Sequence, residues 1–194
     1  MKVTLKDIAE HLNISPSTVS RVINKSGYVG EKTRRLVEQA IVELGYHPDP
    51  RAQALRGKPS KLVGLIIPDI LNTFYASVSK AVEETLAEHG YNMILCVSGD
   101  GSARDLAYLQ LLWERRVDGI IYVPPALGEN SAYVRHLVAE GMPMVELNRQ
   151  RERDLLDAVL ADNFKGAYQA TEYLLKLGHE RIGFICGSVE ITTG

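Results

Sequence analysis

The sequence predicts a chain in two parts: three short helices, then a doubly wound parallel α/β sheet. Three observations carry that expectation. Apolar residues recur at helical spacing up to Gly45, and from Leu62 onward short apolar runs alternate with amphipathic stretches, the pattern of βαβ units. Charge divides at the same place. Residues 1–61 hold 11 Lys/Arg against 6 Asp/Glu, a net of +5, and residues 62–194 hold 11 against 18, a net of −7. The first part suits a polyanionic partner, and the second does not.

Composition excludes several classes. A length of 194 residues allows one large domain or two small ones, and 45% hydrophobic with 24% charged residues is ordinary for a globular protein. Disorder, collagen-like and tandem-repeat organisations are not expected. No apolar run approaches the ~20 residues of a membrane span, and the first ten residues lack the cationic-then-apolar plan of a secretion signal. The expectation is a cytoplasmic protein without a membrane partner. Cys96 and Cys186 have no paired spacing and the five histidines are scattered, so neither a metal nor another cofactor is expected.

Thr4 caps a first helix in which Leu5, Ile8, Ala9 and Leu12 share one face. Asn13 and Ile14 make the break. Ser15 and Pro16 then read as cap and first residue of a second helix that runs to about Ile23, with Val19, Val22 and Ile23 inward and Ser15, Pro16, Ser17, Thr18, Ser20, Arg21 and Asn24 outward. A third helix spans 31–44, with Leu36, Val37, Ala40, Ile41 and Leu44 on one face, and stops at Gly45. Three prolines and one glycine mark 47–60 as a linker; inside it Asp49 and Pro50 open a segment, 51–56, too short to hold as an isolated helix.

The remainder reads as strand 62–67, helix 73–89, strand 92–97, helix 103–115, strand 119–123, helix 131–140, strand 144–147, strand 158–161, helix 164–177 and strand 181–186. That alternation implies right-handed βαβ units, a mostly parallel sheet and helices on both faces. Ligands of such sheets bind at the carboxyl ends of the strands. There Phe74 and Tyr75 offer faces for a sugar, while Asp69, Asn72, Asn148, Arg149 and Asp162 offer partners for hydroxyls; each also serves as an ordinary turn or cap residue.

The first two helices have the form of a helix-turn-helix. Hydroxyls at a helix start can meet phosphates, and Arg21 can reach a guanine edge with two parallel donors. Taken singly, those hydroxyls serve equally as caps and a lone Arg as a solvated side chain. Taken together, the run TLKDIAEHLNISPSTVSRVIN over residues 4–24 resembles the DNA-binding signature of the lac/gal repressor family of bacterial transcription regulators. EKTRR at 31–35, ELGYHP at 43–48, AQAL at 52–55, VDGII at 117–121 and LGHERIGF at 177–184 extend the resemblance along the chain.

What the resemblance implies is specific. Residues 1–46 are a helix-turn-helix DNA-binding domain, 47–61 a hinge with a short helix, 62–161 the first lobe of a periplasmic-binding-protein-like effector core, and 162–194 the start of a second lobe that is incomplete here. Pro16, Ser17 and Arg21 fall at base-reading positions, and Leu5, Ser15, Thr18, Ser20, Asn24, Tyr28 and Thr33 at backbone positions. Ala52, Leu55 and Arg56 belong to the hinge, where a pair of hinge helices enters the minor groove and Leu55 wedges between base steps. By its own chemistry Leu55 also suits packing on its own domain. The implied function is a homodimeric transcription regulator, usually a repressor, that binds a near-palindromic double-stranded operator under control of a small effector, a sugar or sugar derivative. Two alternatives stay open: a small-molecule-binding protein without DNA function, and a truncated chain that binds DNA constitutively. An enzyme is not expected, because the sequence lacks a phosphate-binding Gly-rich loop, a nucleophile elbow and a His-Glu-x-x-His zinc motif.

Overall fold

The computed structural model describes residues 3–46, 59–99, 101–125, 130–151 and 153–185. The chain divides into two compact units, Met1–Lys58 and Pro59–Gly194.

The first unit holds α1 (Leu5–His11), α2 (Pro16–Ile23) and α3 (Glu31–Glu43). α1 begins in a reciprocal cap: the Thr4 N–H donates to Asp7 Oδ2 at 2.7 Å and the Asp7 N–H donates to Thr4 Oγ1 at 3.4 Å. The turn to α2 passes through Asn13 at φ +52°, a left-handed conformation that Asn tolerates better than most residues. Ile8, Ala9, Val19, Val22, Val37 and Ala40 form the buried centre, with Leu5, Leu12, Ile14, Ile23, Ile41 and Leu44 packed around it. Leu36 departs from expectation and stays 47% exposed. At 100° per residue it lies about a quarter turn off the centre of the stripe formed by Val37, Ala40, Ile41 and Leu44.

The second unit holds β1 (Leu62–Ile67), α4 (Thr73–Glu88), β2 (Asn92–Val97), α5 (Ser102–Glu114), β3 (Gly119–Tyr122), α6 (Ser131–Ala139), β4 (Met144–Leu147), β5 (Asp157–Val159) and α7 (Asn163–Lys176). The sheet is parallel in the order β2-β1-β3-β4-β5, with Leu62 opposite Asn92 and Val63 opposite Gly119. β1, flanked by β2 and β3, is covered on both faces, which explains its uninterrupted apolar run. On one face Ile66, Cys96, Ile120 and Tyr122 pack with Leu109 and Leu112 of α5 and Val134 and Leu137 of α6. On the other, Leu65, Ile67 and Val123 pack with Tyr75 of α4. Gly64 is required by close approach: a Cβ there would stand 2.9 Å from Leu112 Cδ2 and closer still to Cδ1.

Two expectations change at the far end. The fifth strand is Asp157–Val159, shorter than 158–161 and begun earlier, because the β4 register pairs Val145 with Asp157. Residues 181–185 form no strand, and Phe184 is 78% exposed. Among the described residues they pair with no neighbouring strand, and a strand without a ladder is not stable in water. α7 likewise buries none of its residues; Phe164, Tyr168, Tyr173 and Leu175 are exposed. The hinge segment 51–56, with Ala52, Leu55 and Arg56, and Cys186 lie outside the described residues.

Candidate nucleic-acid interface and candidate effector site

In the helical head the site is one face of α2. Val19 and Val22 anchor its inner side, which leaves Pro16, Ser17 and Arg21 exposed. Ser17 and Arg21 are four residues apart, so they stand one above the other on the same face. Proline at the first helical position forfeits no helical hydrogen bond. The Ser15 hydroxyl accepts from the Thr18 N–H at 3.2 Å and lies 2.8 Å from both Ser17 Oγ and Thr18 Oγ1, tying three predicted residues at the helix start. One turn on, Asn24 Nδ2 donates to Ser20 Oγ at 3.0 Å. Gly27, at φ +70°, lies against the Arg21 side chain, whose Cδ would be in ordinary contact at 3.6 Å with a Cβ there.

The remaining predicted head residues divide. Tyr28 is 92% exposed, Thr33 is half-buried in the first turn of α3, and Leu5 packs partly against the head core. Charge is distributed unevenly. Residues 3–46 hold six Lys/Arg and five Asp/Glu, a net of +1, so most of the +5 of residues 1–61 resides at Lys2 and in the linker. Arg35 pairs with Glu31 at 2.6 Å on the exposed side of α3.

In the α/β unit, the carboxyl ends of the strands gather the predicted effector residues unequally. Asn148 Nδ2 donates to the Tyr75 hydroxyl at 3.0 Å, joining the end of β4 to the first turn of α4. Tyr75 is buried, and Phe74, beside it, is half-exposed with its ring edge-on at 5.1 Å. Asn148 and Asp162 line a cleft of about 210 Å³ with Gln150, Arg153, Leu160 and Phe164. Asp162 also caps α7 through the Lys165 N–H at 2.9 Å, as Asn72 caps α4 through the Phe74 N–H at 3.0 Å. Asp69 accepts from the Leu71 N–H at 2.8 Å. Arg149 is 9% exposed, and its Nη1 donates to the Pro124 carbonyl at 3.2 Å.

Beneath these loops lies a buried polar layer that sequence reasoning missed. Asp105 Oδ2 accepts from the Tyr122 hydroxyl at 2.6 Å and from Asn130 Nδ2 at 3.0 Å, and among the described residues no donor meets Oδ1. Burial pushes the Asp105 carboxyl above its ordinary range, although those two donors and the Arg151 charge oppose the shift. Burial and the Asp105 charge push the Tyr122 phenol up in turn. On β4, fully buried Glu146 accepts from the Arg151 N–H at 3.0 Å, and Arg151 Nη1 donates to the Pro125 carbonyl at 3.0 Å. A charged residue inside the apolar strand MVEL was the available signal for Glu146. Nothing in the sequence joins Asp105 to Tyr122, 17 positions on.

A helix-turn-helix head followed by a doubly wound α/β unit is the architecture that these observations define. Residues 4–49 match the family of bacterial regulatory proteins, lacI family, and residues 60–191 match periplasmic binding proteins and sugar binding domain of LacI family. The chain belongs to the lacI family. It is 34% identical over 193 residues to the HTH-type transcriptional regulator DegA of Bacillus subtilis, a match covering 99% of this chain and 57% of DegA. It is 37% identical over 196 residues to the HTH-type transcriptional repressor PurR of Edwardsiella ictaluri, covering 98% of this chain and 56% of that repressor. Among solved structures, the lac repressor dimer bound to operator and the anti-inducer ONPF superposes with a TM-score of 0.82 at 28% identity, covering 98% of this chain and 58% of that one. A CelR–cellobiose complex gives 0.57 at 28% identity, covering 99% and 57%. The chain thus spans a little over half the length of these relatives. No helix among the described residues is long and apolar enough to cross a membrane.

Proposed function

We propose that this chain is the DNA-binding and first effector-lobe portion of a dimeric, sequence-specific transcription regulator, a repressor, that acts in the cytoplasm. The carrying observation is the outer face of α2, where Pro16, Ser17 and Arg21 stand exposed over buried Val19 and Val22. On this reading α2 enters the major groove. Arg21 supplies the bidentate base contact, Pro16 and Ser17 shape the fit, and Leu5, Ser15, Thr18, Ser20, Asn24, Tyr28 and Thr33 meet the backbone. Residues 1–46 form the head and 47–61 the hinge, in which Ala52, Leu55 and Arg56 dock in the minor groove. The four linker cations Arg51, Arg56, Lys58 and Lys61 supply most of the phosphate attraction, since the described head is nearly neutral.

The effector lobe, 62–161, takes a small polar ligand, a sugar or sugar derivative, at the carboxyl end of the sheet, with 162–194 opening a second lobe. Phe74 supplies an exposed ring face, buried Tyr75 backs it and takes part through the hydroxyl that meets Asn148, and Asp69, Asn72, Asn148, Arg149 and Asp162 supply hydroxyl partners. The Tyr75–Asn148 bond and the adjoining cleft support that placement. Effector binding shifts the population of states in which paired hinges fit the operator, so affinity follows by linkage and no bond of the effector is cleaved. The test is duplex binding across a salt series with random and near-palindromic DNA. A regulator loses affinity steeply with log salt and protects a two-fold site. A small-molecule-binding protein without DNA function does neither, and a constitutive binder protects the site without response to any sugar.

A further inference from the structure

Where the linker meets the α/β unit, the chain is held by one carboxylate. The Ser60 N–H donates to Asp118 Oδ1 at 2.8 Å, the Ser60 hydroxyl donates to the same oxygen at 2.9 Å, and the Lys61 N–H donates to Oδ2 at 2.9 Å. The Ser60 hydroxyl oxygen also accepts from the Leu62 N–H at 3.2 Å. The backbone locks around them: Asp118 N–H donates to the Leu62 carbonyl and Asn92 N–H to the Lys61 carbonyl, both at 2.8 Å. Lys61 adopts φ +58°, and its ammonium sits 4.1 Å above the Tyr91 ring.

Those contacts exceed what the sheet requires. β1 pairs with β2 and β3 from Leu62 and Val63 onward, and of the two residues before it only the Lys61 carbonyl joins that ladder, through the Asn92 N–H, so the register does not need the bonds to the Asp118 carboxylate. A left-handed lysine is strained, and it persists only where its surroundings over-determine it. Here two consecutive N–H groups converge on one charged acceptor, an arrangement about twice as strong as neutral pairing. The clamp therefore acts on the two residues before the first strand, and those residues continue directly into the linker.

We propose that Asp118 is a positioning residue for DNA binding: by gripping Ser60 and Lys61 it launches the linker from one point in one direction, which fixes the half-site spacing that two hinges can span. This rests on the DNA-binding reading above. With the clamp open, two further residues would have to be ordered each time the hinge docks, a loss of about thirty- to nine-hundred-fold in affinity. Docking at a wrong spacing would be less penalised.

The probe is the duplex that the unmodified full chain selects from a random pool, with and without one base pair inserted at its centre. Amide exchange at Ser60 and Lys61 without DNA reads the clamp itself. In Asp118→Ala both amides should exchange faster, affinity for the selected duplex should fall by about that factor, and the gap between selected and respaced duplexes should narrow. Binding to random duplex should hold. Ser60→Ala, which removes one donor and keeps both backbone N–H groups, should fall between the two, and it reads the effect even where Asp118→Ala unfolds. Faster exchange with an unchanged spacing gap makes the clamp merely structural and overturns the proposal, as do amides that stay protected in Asp118→Ala. A chain that selects no duplex at all overturns the DNA-binding reading first, and is thereby told apart.

Discussion

In the helical head the polar side chains of interest stand outside a centre of six buried apolar residues, whereas in the α/β unit Asp105, Tyr122, Glu146 and Arg149 are buried where the strands end. An exposed side chain can be lost with little effect on folding, because water replaces its partner. A buried one cannot, because its partner is left desolvated. Function and stability should therefore separate in the first unit and entangle in the second.

The largest expected effect is Leu112→Ala. Its fully buried side chain presses on Gly64, and truncation should cost the α/β unit about 2–5 kcal/mol. Calorimetry should show that transition shifted and the head's unchanged; a common shift would abolish the separation between units. Gly64→Ala should cost about 1–3 kcal/mol by overpacking, and less when combined with Leu112→Ala, a coupling that a double-mutant cycle measures.

Tyr122→Phe and Arg21→Ala then set the contrast directly. The first removes a 2.6 Å donor from a buried carboxylate and should cost about 1–3 kcal/mol of stability. The second should leave both melting transitions in place and cost about 1–3 kcal/mol of base discrimination in competition binding. Full discrimination by Arg21→Ala would remove Arg21 from the reading face.

The smallest effect is a slope with pH. Asp105 is raised from its ordinary value near 3.8, so the folded state holds its proton longer than the unfolded one. Its contribution to stability is complete below that value and declines as pH rises toward the folded pKa. Asp118 has the opposite sign. Burial raises it, but the Ser60 and Lys61 donors and the Lys61 charge outweigh burial and leave it lowered, so its contribution is present above 3.8 and fades as pH falls further. Denaturant midpoints across acid pH should lose the decline in Asp105→Asn and the acid-side loss in Asp118→Asn.

Local pattern accounted for much of the architecture. The Thr4 and Ser15 caps, the Pro16 helix start and the alternation of strands and helices from β1 to α7 are each set by neighbours within a few residues, so those bounds lay within one or two positions of the ones seen, whereas the strand expected at 181–186, which needs a distant partner, is not formed over 181–185. The outward face of α2 was legible for the same reason, since helical periodicity fixes which residues oppose Val19 and Val22. Leu36 was not, because a residue at the margin of an apolar stripe is buried or exposed according to what packs beside it. Tertiary structure alone decided that Arg149 lies buried against the Pro124 carbonyl, that Asp105 meets Tyr122, and that Asp118 grips Ser60 across 58 positions. Each of those partners is brought together by a crossover between parallel strands. A charged side chain therefore looks like a surface residue until the sheet closes over it and desolvation makes its partner decisive.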